Sequence, residues 1–345
     1  MTRTYRRLAL AALLLALVVV SLGAYVRLSD AGLGCPDWPG CYGQLVGVPD
    51  EAHEIHAAEQ HFGQPVEAPK AWKEMIHRYA AGLLGLAILA LALLAWRQRE
   101  RRSPWLEVLL LAVVAGQALL GMLTVTRLLK PVIVTSHLLG GMSTLALLAV
   151  LVLRDLASPR RLSALPGGLR LLAVLALGAV LMQIALGGWV SSNYAAAICA
   201  DFPTCQGSWW PEMDTHHAFT LDRELGTTAS GALLSGAALT AIHWVHRLGA
   251  ALVLLLAGGF ALRLLARPET RLYGQCVLAA LVLQIGLGIA NVLLQLPLAL
   301  AVAHNTGAAL LLGATLAASY RVFQRNEARQ PFQAAGFPRR MQALR

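Results

Sequence analysis

Glu74-Met75-Ile76-His77-Arg78 opens an apolar run that continues to Trp96 without another charge. An acid, an imidazole and a guanidinium stand together where lipid-facing helices carry Leu, Val and Ala. Ionisable groups at membrane depth are costly enough to mark functional sites. His137, His246 and His304 hold comparable places in later apolar runs. Working outward from this stretch, eight runs approach the roughly 20 residues that cross a bilayer as a helix. They cover about 8–27, 76–96, 105–126, 132–153, 169–190, 240–262, 273–295 and 298–320. With 57% hydrophobic and 13% charged residues among 345, little polar surface is left for a soluble domain. The pattern predicts an all-α polytopic membrane protein with eight transmembrane helices.

The net charge of +10 is distributed as topology rather than as a nucleic-acid surface. Basic residues gather in the N-terminal tail and around 97–102, 154–170, 263–271 and 321–345, which together hold 20 of the 28. With eight spans all five clusters fall on one side. The positive-inside rule then places both termini in the cytoplasm, and a bacterial plasma membrane is the expected address. Arg3, Arg6 and Arg7 before an apolar run imitate a signal peptide. Recurrence of the same segment inside the chain argues against cleavage.

The two long loops on the other side contain Cys35 and Cys41, and Cys199 and Cys205. That compartment permits disulfides, so the expected bridges are Cys35–Cys41 and Cys199–Cys205. Cysteine metal ligands are the alternative, but histidine at a finger-like spacing is missing. Cys276, inside a span, reads as a small packing residue. His53, His56 and His61 in the first loop, and His216 and His217 in the second, read as solvated side chains rather than metal ligands.

The chain is written twice. Cys35-Pro-Asp-Trp-Pro-Gly-Cys41 aligns with Cys199-Ala-Asp-Phe-Pro-Thr-Cys205, and His77-Arg78 with His246-Arg247. Gln117-Ala-Leu-Leu-Gly121 aligns with Gln284-Ile-Gly-Leu-Gly288, each followed by a histidine twenty residues after its Gln. The offsets are 164, 169, 167 and 167 residues. They predict two parallel-repeat four-helix bundles, 1–157 and 165–325, with 326–345 as a partly disordered cytoplasmic tail.

One turn beyond each histidine stand only small residues: Ala80 and Ala81, Gly140 and Gly141, Gly249 and Ala250, Gly307 and Ala308. They share the histidine's helix face. Small residues also serve helix packing in membranes, but their presence at all four sites favours a flat macrocycle ligated by imidazole. Two histidines per bundle suggest bis-His haem. Glu74-x-x-His77 fits a di-iron motif once, and no other span supplies the remaining carboxylates. Arg27, Arg78 and Arg247 at the boundary are suited to haem propionates, with snorkelling to headgroups as the alternative. The halves differ at one point: Glu74 precedes His77 where His243 precedes His246. A carboxyl beside haem can exchange protons with substrate or water.

At these residues the chain resembles the haem A synthase family, integral-membrane enzymes of terminal-oxidase biogenesis. The resemblance runs through Arg27 to Cys41, Glu74 to Arg78, Gln117 to Gly121, Ser136-His137, Cys199 to Cys205, His246-Arg247, Gln284 to Gly288 and His304. It implies oxidation of a haem O ring methyl to the formyl group of haem A. It also implies substrate haem on His77 and His137, a reactive Glu74, and haem b on His246 and His304. Implied partners are membrane lipid, an electron donor or acceptor, haem O synthase, oxidase assembly factors and a second copy of the chain. His243 departs from the family pattern. A di-haem electron-transfer cytochrome would use the same four histidines without needing Glu74. A transporter would suit parallel repeats but would more readily show helices broken at the midplane.

Overall fold

The computed structural model describes residues 3–100, 103–156 and 167–324. The tail 326–345 and the boundary between 157 and 165 lie outside the described residues. Ten α-helices follow in order: α1 (Arg3–Leu28), α2 (Ala52–Phe62), α3 (Ala68–Arg97), α4 (Trp105–Thr126), α5 (Pro131–Leu156), α6 (Gly167–Ser192), α7 (Thr215–Ala218), α8 (Gly236–Leu265), α9 (Arg271–Leu293) and α10 (Leu298–Phe323). All but α2 and α7 are long and apolar enough to cross a membrane, and no β-strand occurs among the described residues. The protein is a multi-pass, all-helical membrane protein.

The spans start earlier than apolarity alone suggests. α3 begins at Ala68 and α8 at Gly236, so His77 and His246 lie well inside their helices rather than at the start. A 30-residue helix is about 45 Å long, against a hydrocarbon core of about 30 Å. The surplus turns of α3 carry Pro69, Lys70, Trp72 and Lys73, an interfacial composition that a count of apolar residues passes over. Pro69 in the first turn needs no intrahelical N–H partner.

Packing follows the membrane rule of small residues inward and large ones outward. Tyr5, Ala9, Ala12, Ala16 and Val20 bury one face of α1, while Leu10, Leu14 and Val18 point away. On α6, Ala173, Ala176 and Val180 are inside and Leu171, Val174 and Leu175 outside. Cys276 is exposed on α9, which corrects the expectation of an interior packing residue. It stands among lipid-facing residues such as Leu272, Val282 and Leu283.

Helix α1 touches α3, α3 touches α4, α4 touches α5 and α5 returns to α1. The later spans close a second circuit through α6, α8, α9 and α10. Contacts of α1 with α10, α5 with α6 and α5 with α10 join the circuits. At the end bearing the basic links, fully buried Glu107 accepts from Tyr5 Oη at 2.5 Å and pairs with Arg154 at 2.8 Å, tying α1, α4 and α5. At the opposite end, Arg27 donates to the Ser191 carbonyl (2.8 Å) and Tyr194 to Asp30 (3.1 Å). There Lys130 reaches Asp222 (2.6 Å) and Glu224 (3.2 Å) across the same seam.

Candidate functional site

The two cysteine loops are built alike, residue for residue. Cys35–Cys41 and Cys199–Cys205 are disulfides with Cα atoms 4.8 Å apart in both loops. Within each, an aspartate caps the turn: Asp37 accepts from the Tyr42 and Gly43 amides (2.7 and 2.9 Å), Asp201 from those of Gln206 and Gly207 (2.7 and 3.0 Å). The Thr204 hydroxyl and these amides hold the Asp201 carboxyl down, to about 2. The Trp38–Pro39 and Phe202–Pro203 peptides are both cis. Gly43 and Gly207 have φ of 79° and 75°, a conformation that side chains with a Cβ disfavour. Non-reduced, denatured protein should therefore label with a thiol reagent at Cys276 alone. Labelling at four or five sites would show the bridges to be absent.

An arginine clamps each loop to its helix. Arg78 donates to the carbonyls of Asp37 (3.1 Å), Pro39 (3.2 Å) and Gly40 and pairs with Glu74 at 2.5 Å. Arg247 donates to the carbonyls of Asp201 (2.9 Å), Thr204 (2.7 Å) and Cys199 (3.0 Å). Each clamp is the residue after a histidine, so loop and imidazole are positioned by the same helical turn. Glu74 also accepts the Cys35 amide at 3.0 Å and is 5% exposed. Its counterpart His243 meets the Ala195 carbonyl through Nδ1 at 3.1 Å. The acid and the imidazole therefore both tie their helix to the chain ahead of it.

Beneath the loops lies one apolar cavity of ≈ 1190 Å³, shared by both helix circuits. Small-molecule pockets run to about 300–1,000 Å³, so the space suits a large ligand or more than one. His77, His137, His246 and His304 all line it, as do Glu74, Arg27, Arg78 and Arg247. Trp38 and Pro39 from the first loop, and Phe202, Pro203, Trp209 and Trp210 from the second, line it at the loop end. The small residues divide by position. Ala81, Gly141, Ala250 and Ala308, four residues after each histidine, face the cavity. The glycines three residues after are taken up otherwise: a Cβ at Gly140, Gly249 or Gly307 would collide with Gln117, Gln183 or Gln284. Half of the cleared face thus serves the cavity and half admits an amide from the next helix.

The residues fit a planar, iron-bearing macrocycle. Nδ1 of His77, His137 and His304 is buried without a hydrogen-bond partner, in a pocket whose walls are mostly apolar. An uncompensated buried imidazole is costly unless something takes its lone pair. Among the described residues no cluster of three or more His, Cys, Asp or Glu is placed to hold a metal ion by protein ligands alone.

Residues 6–316 match the COX15-CtaA family model, described as cytochrome oxidase assembly protein. The chain is similar to the heme A synthase of Shewanella oneidensis, with 41% identity over 91% of this chain and 95% of that one. Heme A synthases of Caulobacter sp. (strain K31) and Caulobacter vibrioides are each 30% identical over 90% of this chain and 93% of theirs. The chain belongs to the haem A synthase family.

Of the family-like residues singled out from sequence, all four histidines, Glu74 and the three arginines come together at the cavity. The arginines have partners already. Arg27 leans over the Tyr194 ring, 4.1 Å to its centroid, besides bonding Ser191. His53, His56 and His61 stay in the loop: His53 pairs with Glu51 (3.2 Å), His56 lies 3.5 Å from Gln60, and His61 packs edge-on against Phe62. His217 binds Asp214 at 2.6 Å, and the His217 backbone amide together with that contact holds the Asp214 carboxyl below its usual range. Sequence reasoning missed Gln183 and missed the role of Gln117 and Gln284. Gln183-Ile-Ala-Leu-Gly187 repeats the pattern already visible at 117–121 and 284–288. It was available as a signal from one span pair to the next, not only from half to half.

Proposed function

We propose that this enzyme converts haem O to haem A by oxidising a ring methyl to a formyl group. In this reading residues 1–157 hold the substrate between His77 and His137, and 165–325 hold a haem b between His246 and His304. The observation that carries the reading is the meeting of four histidines, each with a small residue one turn on, at a single apolar cavity that has Glu74 at one pair only. The basic clusters favour a bacterial plasma membrane with both termini in the cytoplasm.

The methyl carbon loses two electrons in each of two oxidations, passing through hydroxymethyl to a hydrated aldehyde that sheds water. If water supplies the oxygen, each oxidation also releases two protons. Haem b, when bound, would supply a one-electron relay to the external acceptor that takes these electrons. Glu74 supplies the carboxyl at the substrate side, held in place by Arg78 and the Cys35 amide. Trp38 and the second loop's Trp209 and Trp210 line the cavity at its loop end. Proton transfer by a fixed group contributes about 10²–10⁴-fold.

Extraction of purified protein, followed by chromatography and mass measurement of its haems, tests this. Haem O or A beside haem b is the expected result. Haem b alone would make the protein a di-haem electron carrier.

A further inference from the structure

The two circuits differ where their second and third spans meet. In the first, the α3–α4 seam presents Gly82, Gly85, Val114 and Ala118 to the cavity. The repeat offsets of 169 and 167 residues carry these to Ala251, Leu254, Leu281 and Ile285 at the α8–α9 seam, which line the same cavity. At every one of the four places the second half carries the larger side chain.

The closeness of the helices makes the same distinction. Gly274 brings α9 onto the backbone of α8, where a Cβ would stand 2.8 Å from the Ala261 oxygen and 2.9 Å from the Leu265 nitrogen. Leu281 is 1% exposed and fills the space beside Gly258, its Cδ2 3.7 Å from where a Cβ would stand. In the first half the place of Gly274 is taken by Glu107, whose carboxyl is held by Tyr5 of α1 and Arg154 of α5. The place of Gly258 is taken by Leu89. Val114 is only half-buried, Gly82 and Ala118 are exposed, and a Cβ on Gly82 would meet nothing within 4 Å. One seam is packed shut and the other has room.

We propose that the α3–α4 seam is a slot for the long apolar tail of a haem held by His77 and His137. The tail passes through it from the cavity into lipid, and the closed α8–α9 seam restricts His246 and His304 to a haem without a tail. The inference rests on the ligation pattern given above and adds what tells the two haems apart. Haem O differs from haem b by an isoprenoid tail on the edge of the ring away from its propionates. Nδ1 of His77 and of His137 is buried and unpartnered in the cavity on which the slot opens. At about 1.5 Å per residue, Gly82 and Gly85 lie about 7.5 and 12 Å farther from the loops than His77. The slot therefore opens at hydrocarbon depth, whereas Arg27 and Arg78 stand at the loop end. An apolar tail placed there stays out of water, and the charged edge of the ring faces the arginines.

The test uses the purified full chain in lipid nanodiscs, prepared from cells that make no haem O. It is titrated with haem O and, separately, with haem b, and binding is read from the Soret difference spectrum. Gly85→Leu combined with Ala118→Ile copies the second half and should weaken haem O binding about 5–150-fold, the cost of inserting bulk into packed space. Haem b binding to the same site should not change. Ala118→Val alone should shift haem O in the same direction by less, which serves should the double variant fail to fold. Equal weakening of both haems, or none of either, would overturn the proposal. A His77→Ala control separates the failures. Haem O bound as tightly without that histidine would sink the ligation pattern itself, whereas weakened binding there with silent seam variants would sink only the slot.

Discussion

Glu74→Gln should lower formyl formation by about 10²–10⁴-fold while haem content stays at the wild-type level, with haem O or its hydroxymethyl form accumulating. Glutamine keeps the size of the side chain and an oxygen for the Cys35 amide, but it cannot take up a proton as a carboxylate does. The structure supplies the competing effect to weigh. Glu74 neutralises Arg78, and removing one partner of a buried pair commonly costs about 3–5 kcal/mol. Arg78 retains its three loop carbonyls, so the first loop has other anchors. Measuring product, bound haem and melting temperature on one preparation separates the two effects. If haem and thermal stability are lost with activity, Glu74 is a structural latch; full activity in the glutamine variant would remove it from the chemistry.

The second large effect divides the histidines. His246→Ala and His304→Ala should each strip haem b from the purified protein, whereas His77→Ala and His137→Ala should leave it in place and abolish product. All four imidazoles line one cavity, so position alone does not separate them. The carboxyl one turn before His77, where His246 has His243 instead, does. Haem b is read from the pyridine haemochrome spectrum of each variant. Equal losses across the four substitutions would remove the distinction between a substrate pair and a cofactor pair.

Much of this architecture was legible in the chain because membrane burial leaves a coarse signal. Long apolar runs count the spans, since no other helix needs about 20 uncharged residues. Where each helix begins was less legible. The first turns of α3 carry Lys70 and Trp72, side chains as welcome in the interface as leucine. The four histidines stood out because charge and imidazole are rare at depth. The arginines stood out too, but their partners did not: Arg78 and Arg247 bind carbonyls of loops some forty residues away in sequence, and carbonyls carry no sequence signature. The small residues after each histidine were recognised as a cleared face, yet only the packed helices separate those that open the cavity from those that seat a glutamine. Nor did the sequence announce buried Arg223, which donates to Asn193 Oδ1 at 2.5 Å and lies over the Trp189 ring.

The seam between the two helix circuits has a consequence for how the halves can differ. Exchanging each span for the one four places on turns the α1–α10 contact into the α6–α5 contact and leaves α5–α10 unchanged. Such a joint is self-matching, the kind that two identical subunits form about a twofold axis. Identical subunits would have to present the same side chain on both sides of the axis, acid facing acid and amide facing amide. A continuous chain is under no such obligation. Glu74 can answer His243 without disturbing the joint that holds them in register. Covalent continuity thus lets one scaffold set unlike side chains at matching places around a single shared cavity.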